Sequence, residues 1–323
     1  MSVTRIAVLD DYQRRAPGYA DWGSLGPDTE VVFFAGPIPS AALPATLADF
    51  DILVLMRERT AFPRAVLEAL PRLKLLVTTG MRNASVDAAC LSERGVLYCG
   101  TGGGSAAGRP GIPSTAEIAW ALILATTKRV TIEDRAIRAG HWQTGLPAGL
   151  AGATLGVAGL GNLGSAMVGP ARAFGMDVIA WSPNLTAERA SERGVRAVAK
   201  ADLLSGSDVL SVHLVLSDRT RGLFQAADLA LMKRSAVLIN TSRGPIVDEQ
   251  ALIEALRNDV IAAAGLDVYG TEPLPAGSEL TTLDNVVLLP HLGYVTEPNF
   301  RQMYGQAVED IAGFLAGSPV RVL

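Results

Sequence analysis

The stretch from residue 153 to residue 183 limits the possible fold more than any other part of the chain. An apolar run at 154–158 predicts a buried strand, and the glycines of a G-x-G-x-x-G pattern follow at 159, 161 and 164. A helix of small residues and a second apolar run, 178–181, complete a strand–turn–helix–strand unit. In such a unit the glycines permit a tight turn, a close pyrophosphate and close helix packing, while free N–H groups at the helix start face the phosphates. The pattern can arise by chance in a chain with 33 glycines, but the flanking strands favour a dinucleotide site.

The residues after the second strand leave the choice between NAD and NADP open. Ser182, Pro183 and Asn184 stand where NAD sites usually carry an acidic residue for the ribose 2′-hydroxyl. Asp177 lies at the opposite end of that strand. Because no carboxylate is present at these positions to repel a 2′-phosphate, NADP is not excluded, and we predict NAD or NADP as the cofactor. Arg189 is either a partner for such a phosphate or an ordinary exposed helix arginine.

Length and charge indicate two domains of an ordinary globular protein. The chain has 323 residues, of which 49% are hydrophobic and 19% charged, and its net charge is −4. At about 150 residues per domain, two domains are expected, and the acidic balance argues against nucleic acid as a partner. No apolar run is long enough to cross a membrane, and the N-terminal sequence shows no signal-peptide pattern. Cys90 and Cys99 lack metal-ligand spacing, which predicts free thiols, no metal and a cytoplasmic location.

The first hundred residues alternate apolar runs with helical stretches. This alternation predicts a parallel sheet covered on both faces, in a first unit that ends near Tyr98. Ligands of such a sheet bind beyond the carboxyl ends of its strands. The predicted strands are 4–9, 30–34, 51–55 and 74–78.

Two loops that follow these strands can hold a small anion. Residues 57–60 follow the third run, residues 78–83 follow the fourth, and both contain arginine. The alternative interpretation is that these arginines are solvated surface charges. The predicted substrate contacts are Arg57, Gly80, Met81 and Arg82.

A glycine-rich segment at 100–108 predicts a hinge between the two domains. Ser114 and Glu117 resemble a capping box, which predicts one long helix from residue 115 to about residue 140. An amphipathic stretch at 302–315 predicts a helix that returns to the first domain. We therefore expect a substrate domain of residues 1–104 and 296–323, and a nucleotide-binding domain of residues 105–295.

Three complementary side chains follow strand ends in the second half. The predicted strands there are 208–214, 236–240, 263–267 and 286–289. Arg243 can grip a carboxylate with two parallel hydrogen bonds, and His291 can exchange a proton near neutral pH. A carboxylate at Glu272 would favour the protonated histidine and fix its tautomer. Each residue alone has a structural explanation, but together they predict a catalytic site.

The other two histidines are less suited to catalysis. His141 lies in a polar turn and is expected to be structural. His213 lies within a predicted strand, where a role beside the cofactor is the better interpretation.

Four segments resemble the D-isomer-specific 2-hydroxyacid dehydrogenase family. They are GLGNLG, NTSRGPIVDEQAL, GLDVYGTEPLP and LLPHLG. The resemblance implies an α/β fold of two doubly wound parallel-sheet domains, a Rossmann nucleotide-binding domain inserted into a flavodoxin-like substrate domain. It also implies a homodimer, and hydride transfer between a nicotinamide and a small D-2-hydroxy acid or 2-keto acid, such as glyoxylate or hydroxypyruvate.

Residue roles follow from the same resemblance. Arg243 would orient the substrate carboxylate, His291 would be the acid/base and Glu272 its partner. The expected cofactor contacts are Gly159, Leu160, Gly161, Asn162, Leu163, Gly164, Ser182, Pro183, Asn184, His213, Leu214, Thr220, Thr241, Ser242, Asp267 and Gly293.

Departures from the family pattern concern the substrate. Met81 and Arg82 stand where small residues are common, and Val215 stands where proline is usual. A 3-phosphoglycerate dehydrogenase-like activity is therefore kept as an alternative. A dinucleotide-sensing corepressor is a second alternative, and Glu272 argues against a formate dehydrogenase, which carries Gln there.

Overall fold

A computed structural model describes residues 3–102 and 112–323, and the chain forms two compact units. Unit 1 comprises Met1–Arg109 and Thr296–Leu323, and unit 2 comprises Pro110–Val295. The predicted hinge lies outside the described residues from position 103 onward, as does the predicted boundary between residues 104 and 105.

The elements alternate between strand and helix through most of the chain. The strands are β1 Thr4–Val8, β2 Thr29–Phe33, β3 Ile52–Leu55, β4 Leu75–Thr78, β5 Leu97–Gly100, β6 Thr154–Ala158, β7 Asp177–Trp181, β8 Arg196–Ala197, β9 Val209–Val212, β10 Val237–Asn240, β11 Ala263–Leu266 and β12 Val286–Leu288. The α-helices are α1 Ala16–Tyr19, α2 Leu43–Leu47, α3 Arg64–Glu68, α4 Ala88–Glu93, α5 Ser114–Thr127, α6 Val130–Arg138, α7 Asn162–Ala166, α8 Val168–Ala173, α9 Ala187–Ser191, α10 Lys200–Gly206, α11 Ala226–Leu229, α12 Glu249–Arg257 and α13 Glu297–Leu315. Short 3₁₀ helices lie at Trp22–Leu25, Ser40–Ala42, Gly244–Ile246 and Glu279–Thr282.

Unit 1 is built on a five-stranded parallel sheet with the order β2-β1-β3-β4-β5. This is the flavodoxin-like order. β3 and β4 are buried along their whole length, as the apolar runs of a parallel sheet require. α13 packs on β4 and β5, so the predicted helix at 302–315 belongs to this unit and begins five residues earlier. The edge strand β5 was not predicted, because it has only four residues and ends in a glycine.

Unit 2 is built on a seven-stranded parallel sheet with the order β12-β11-β10-β9-β6-β7-β8. Numbered within the unit, this is the Rossmann order extended by one strand, and the order reverses between β6 and β9. Side chains of β10 alternate between two cores, with Val237 and Ile239 on one face and Leu238 on the other. The predicted fold class is confirmed: both sheets are parallel and doubly wound. The two-residue strand β8 was missed, because a pair at the sheet edge leaves no periodic signal.

The predicted single helix after residue 115 is wrong, since α5 and α6 are separate. The carbonyl of Thr127, which a continuing helix would offer to residue 131, instead accepts the N–H of Ala148 at 2.9 Å. Arg129 then adopts a left-handed conformation with φ of 56°. The segment around Ala148 therefore ends α5 by taking a helical carbonyl.

The predicted capping box at the start of α5 is also wrong. Pro113 occupies the N-cap, without a side-chain cap. The hydroxyls of Ser114 and Thr115 donate to the carbonyl of Gly293, at 2.9 and 2.8 Å. These hydroxyls fix the loop after β12 rather than the helix start.

Candidate active site

The turn between β6 and α7 has the geometry that its glycines predict. Gly159 has φ of +102° and directly follows β6. A Cβ at Gly164 would lie far inside 3.0 Å of the Gly159 carbonyl oxygen, a separation that Cβ atoms essentially never show. A Cβ at Gly161, by contrast, would meet nothing within 4 Å. The turn is therefore closed on its inner side and open at Gly161.

The remaining residues of the turn differ in exposure. Leu160 packs against the core of one sheet face, Asn162 is exposed and Leu163 is partly buried. The helix that follows is interrupted at Met167, between α7 and α8. Pro170, in the first turn of α8, cannot donate the hydrogen bond that would join the two helices smoothly.

Ser182, Pro183 and Asn184 follow β7 as predicted, while Asp177 begins that strand. Arg189 lies on α9, and its Nη1 donates to the carbonyl of Asn184 at 3.4 Å. No acidic side chain occurs at residues 182–184, so this loop carries no carboxylate that would repel a 2′-phosphate.

The loop after β9 lies against the glycine turn. β9 ends at Val212, so His213 follows the strand instead of lying within it as predicted. Its N–H donates to the carbonyl of Ala158 at 2.8 Å, and its Nε2 lies 2.8 Å from Ser211 Oγ. Burial lowers the pKa of His213 to about 4, so the imidazole is neutral at pH 7. The His213 ring therefore brings no positive charge to the glycine turn.

Hydroxyl groups organise the neighbouring strand ends. Ser242 Oγ donates to the carbonyl of Leu214, and Thr220 Oγ1 donates to the carbonyl of Val215 at 2.7 Å. Thr241 is buried, and within the described chain its hydroxyl has no hydrogen-bond partner. That hydroxyl is a candidate contact for a bound ligand, because buried polar groups are rarely left unpaired.

Arg243 follows β10 in a loop that Asn240 shapes. The Asn240 side chain accepts from Ser242 N–H and donates to the Arg243 carbonyl, each at 3.0 Å. Arg243 Nη1 donates to the carbonyl of Ser242 at 2.8 Å. A Cβ at Gly244 would lie far inside 3.0 Å of the Tyr269 backbone. The Arg243 loop is therefore packed directly on the loop that follows β11.

Glu272 and His291 form a hydrogen-bonded pair. Glu272 Oε1 accepts the Tyr269 N–H at 3.0 Å, and Glu272 Oε2 lies 2.6 Å from His291 Nδ1. Both side chains are partly exposed, 31% and 24%. Because Nδ1 faces the carboxylate, Nε2 is the nitrogen left to face a substrate.

Asp267 shapes the loop that carries His291. It is fully buried at the end of β11, and its two oxygens accept the N–H groups of Leu292 and Gly293 at 2.6 and 2.8 Å. Burial raises the pKa of this carboxyl group. His291 itself has φ of 54°, a conformation that the Asp267 bonds help to hold.

Two further residues support this loop cluster and were missed from the sequence. Tyr269 OH donates to the carbonyl of Leu289 at 2.7 Å, and Glu249 Oε2 accepts the N–H of Gly270 at 2.9 Å. Neither position stands out by periodicity or spacing. Their contacts exist only because β10, β11 and β12 are neighbours.

The predicted substrate contacts all lie in unit 1. Arg57 follows β3, its N–H donates to Thr79 Oγ1 at 2.8 Å, and its guanidinium lies against Gly80. Met81 and Arg82 are exposed after β4. Within this unit, the structure therefore brings Arg57 and the Gly80 turn together.

The residues of unit 2 fit a dinucleotide. The turn at Gly161 is open where a pyrophosphate would approach, Gly159 makes the tight turn, and Thr241 offers an unpartnered buried hydroxyl. In the part of the chain that the structure describes, no helix has the length and apolarity to span a membrane.

Comparison with known proteins agrees with this geometry. Residues 120–293 match the family model described as D-isomer specific 2-hydroxyacid dehydrogenase, NAD binding domain. A glyoxylate reductase of Aeropyrum pernix is 39% identical over 263 residues, which cover 78% of this chain and 76% of that protein. A phosphoglycerate oxidoreductase structure from Vibrio cholerae superposes with a TM-score of 0.89 at 34% identity, covering 97% and 99% of the two chains.

A second group of relatives is longer. A D-3-phosphoglycerate dehydrogenase of Mycobacterium leprae is 36% identical over 296 residues. The match covers 91% of this chain but only 54% of that protein. The shared region includes both units.

Proposed function

The chain belongs to the D-isomer-specific 2-hydroxyacid dehydrogenase family, and from this premise we propose that it reduces a small 2-keto acid of the glyoxylate or hydroxypyruvate type. It is an NAD(P)-dependent oxidoreductase acting on D-2-hydroxy acids or the corresponding keto acids. The observation that carries the proposed roles is the Glu272–His291 hydrogen bond of 2.6 Å. The loop that carries Glu272 follows β11, and β11 is the neighbour of β10, which precedes Arg243. We assign unit 2 to the cofactor and unit 1 to the substrate domain.

Each of the three side chains has a distinct role in reduction. When bound, the reduced nicotinamide supplies a hydride to the carbonyl carbon. Arg243 binds the substrate carboxylate and polarises the keto group through its planar guanidinium. His291 donates a proton from Nε2 to the carbonyl oxygen, which completes the hydroxyl group. Glu272 holds Nδ1 and stabilises the positive imidazolium before transfer.

A substrate panel tests this function. Glyoxylate, hydroxypyruvate, pyruvate and 3-phosphohydroxypyruvate would each be assayed at 340 nm with NADH and with NADPH. His291→Gln should lower kcat on the order of 10²-fold or more, while His141→Gln, at an exposed histidine, should not change it. A wild-type protein that reduces none of these acids, or a His291→Gln variant with wild-type kcat, would overturn the proposal.

Oxidation of 3-phosphoglycerate is a second candidate. The Mycobacterium leprae relative with that name matches 91% of this chain, which supports the alternative. A kcat/KM for 3-phosphohydroxypyruvate well above the values for glyoxylate and hydroxypyruvate would favour it.

We also propose a homodimer formed through unit 2. Around α6, Val130, Ile137, Trp142 and Leu146 are exposed, the last two by 76% and 96%. Such an apolar group in one region supports a covered surface. Leu146→Asp should shift the protein toward the monomer in sedimentation, and a wild-type monomer would refute the dimer.

Two buried free thiols, Cys90 and Cys99, support a reducing cytoplasmic location.

A further inference from the structure

The end of α13 turns the chain back along unit 1. Gly317 N–H donates to the Phe314 carbonyl at 3.1 Å, and Ser318 N–H donates to the Gly313 carbonyl at 2.8 Å. This pair of bonds is a Schellman motif, which ends a helix with a reversal. Residues 318–323, here called the strap, therefore leave the helix in a defined direction.

The strap pairs with the outer edge of β5. Gly100 N–H donates to the Arg321 carbonyl at 3.0 Å, and Leu323 N–H donates to the Tyr98 carbonyl at 2.9 Å. The strap therefore runs antiparallel to β5, whereas the strands of the sheet are parallel to one another. The strap thus covers an edge that would be left open.

An ion pair between a partly exposed arginine and a buried aspartate fastens the strap to α13. Arg321 Nε lies 2.9 Å from Asp310 Oδ1, and Arg321 Nη2 donates to the Gln306 carbonyl at 2.9 Å and to Glu309 Oε2 at 2.8 Å. Asp310 is fully buried, and among the described residues its Oδ2 has no hydrogen-bond partner. Burial raises the pKa of Asp310 to about 6, while the Arg321 charge acts in the opposite direction. Arg321 is thus the main compensation for a buried carboxylate.

The strap and the turn after β4 both pack against Gly100. A Cβ at Gly100 would lie 2.7 Å from the Gly80 carbonyl oxygen and 2.9 Å from Leu323 Cδ1, so Gly100 has close neighbours from both segments. The Gly80 N–H donates to Thr101 Oγ1 at 3.0 Å, immediately after β5. The strap and the Gly80 turn are therefore packed on the same end of the edge strand.

We propose that the strap positions the turn of residues 80–82, with Arg321 and Leu323 acting as positioning residues for substrate binding. The inference rests on the proposed function, in which Gly80, Met81 and Arg82 contact the keto acid. Arg321 anchors the strap, and the Leu323 side chain limits how far the Gly80 turn can move toward β5.

Hydrogen exchange and kinetics on full-length variants test this inference. Arg321→Ala releases the anchor, Leu323→Ala removes only the packing contact, and Arg301→Ala is the control. Arg301 lies on α13, the helix to which the strap is fastened, and forms an exposed i,i+4 pair with Glu297. Amide hydrogen exchange in peptides covering residues 79–83 should be faster in both strap variants. The reason is that the hydrogen bond from the Gly80 amide to Thr101 Oγ1 would open more often. KM for the keto acid should rise by roughly 10-fold, because positional errors of about 1 Å are costly, with the KM for NAD(P)H unchanged.

The two readouts separate this inference from the proposed function. Exchange needs no substrate, so it tests the strap even if the wild-type protein reduces no keto acid, a result that overturns the function alone. A wild-type exchange rate at residues 79–83 in a folded Arg321→Ala variant would overturn the inference that the strap positions this turn. If that variant does not fold, wild-type exchange in Leu323→Ala would do the same. Faster exchange with an unchanged keto-acid KM would overturn the positioning role.

Discussion

Alanine substitutions at two glycines of the nucleotide turn should have different consequences. Gly164 is buried, and its added Cβ would lie more than about 1 Å inside the 3.0 Å limit from the Gly159 carbonyl oxygen. Either the helix or the turn must move by about that distance. Inserting atoms into a packed site typically costs about 1–3 kcal/mol, so a value of about 2 kcal/mol would lower the melting temperature by roughly 4–8 °C.

The same displacement should impair the cofactor site. Because Gly159 forms the turn, a shift of its carbonyl misplaces the phosphate-facing backbone, and kcat/KM for NAD(P)H should fall on the order of 10²-fold. Gly161 has φ of −79° and open space around its added Cβ, so alanine there should change stability by less than about 0.5 kcal/mol. That Cβ would occupy the space of the pyrophosphate, and the KM for NAD(P)H should still rise at least about 10-fold.

Gly169→Ala is the matched control. Gly169 lies on α8, is exposed, and an added Cβ meets nothing within 4 Å. Alanine should leave the kinetics unchanged and the melting temperature equal or higher, because alanine favours helix by up to about 1 kcal/mol. Thermal unfolding and NAD(P)H titrations of the three variants decide the matter. A Gly164→Ala variant with wild-type melting and wild-type cofactor KM would show that the close approach does not constrain the turn.

Four further outcomes test the catalytic and cofactor assignments. Arg243→Ala should raise the keto-acid KM and lower kcat, and Arg243→Lys should restore little because an ammonium cannot form the two-pronged grip; equal recovery with lysine would refute this. His291→Ala should lower kcat on the order of 10²-fold or more with a small change in KM. Glu272→Gln should lower kcat for keto-acid reduction, because it removes the carboxylate that lies 2.6 Å from His291 Nδ1 and holds the ring; a wild-type kcat would refute the pairing. Ser182→Asp should shift the kcat/KM ratio toward NADH, since the new charge repels a 2′-phosphate, and an unchanged ratio would count against it.

Most of the sheet framework could be predicted from apolar runs, because strands of parallel sheets are buried on both faces. The strands β5 and β8 were harder to predict. β8 has only two residues, and β5 has four residues with a glycine at its end. The end of α5 was unpredictable for another reason, since the Ala148 N–H that takes the Thr127 carbonyl lies 21 positions along the chain.

The candidate site was predictable only as far as strand ends identify it. Arg243 follows β10, Glu272 lies in the loop after β11, and His291 follows β12, so three parallel neighbours bring them to one edge of the sheet. Their roles remain predictions for the variants above. The hydrogen bonds that support the site could not be predicted from motif or spacing. For example, Glu249 lies on α12 and accepts the N–H of Gly270 in the loop after β11.

The arrangement of unit 2 also explains why these loops should act together. Gly244 allows the Arg243 loop to touch the Tyr269 backbone, and the Tyr269 N–H binds the same Glu272 carboxylate that binds His291. A displacement of either loop is therefore transmitted to the other through a backbone contact and one carboxylate. Because a carboxylate grip and a proton donor must hold one keto acid at the same time, packing the loops on each other reduces their independent motion.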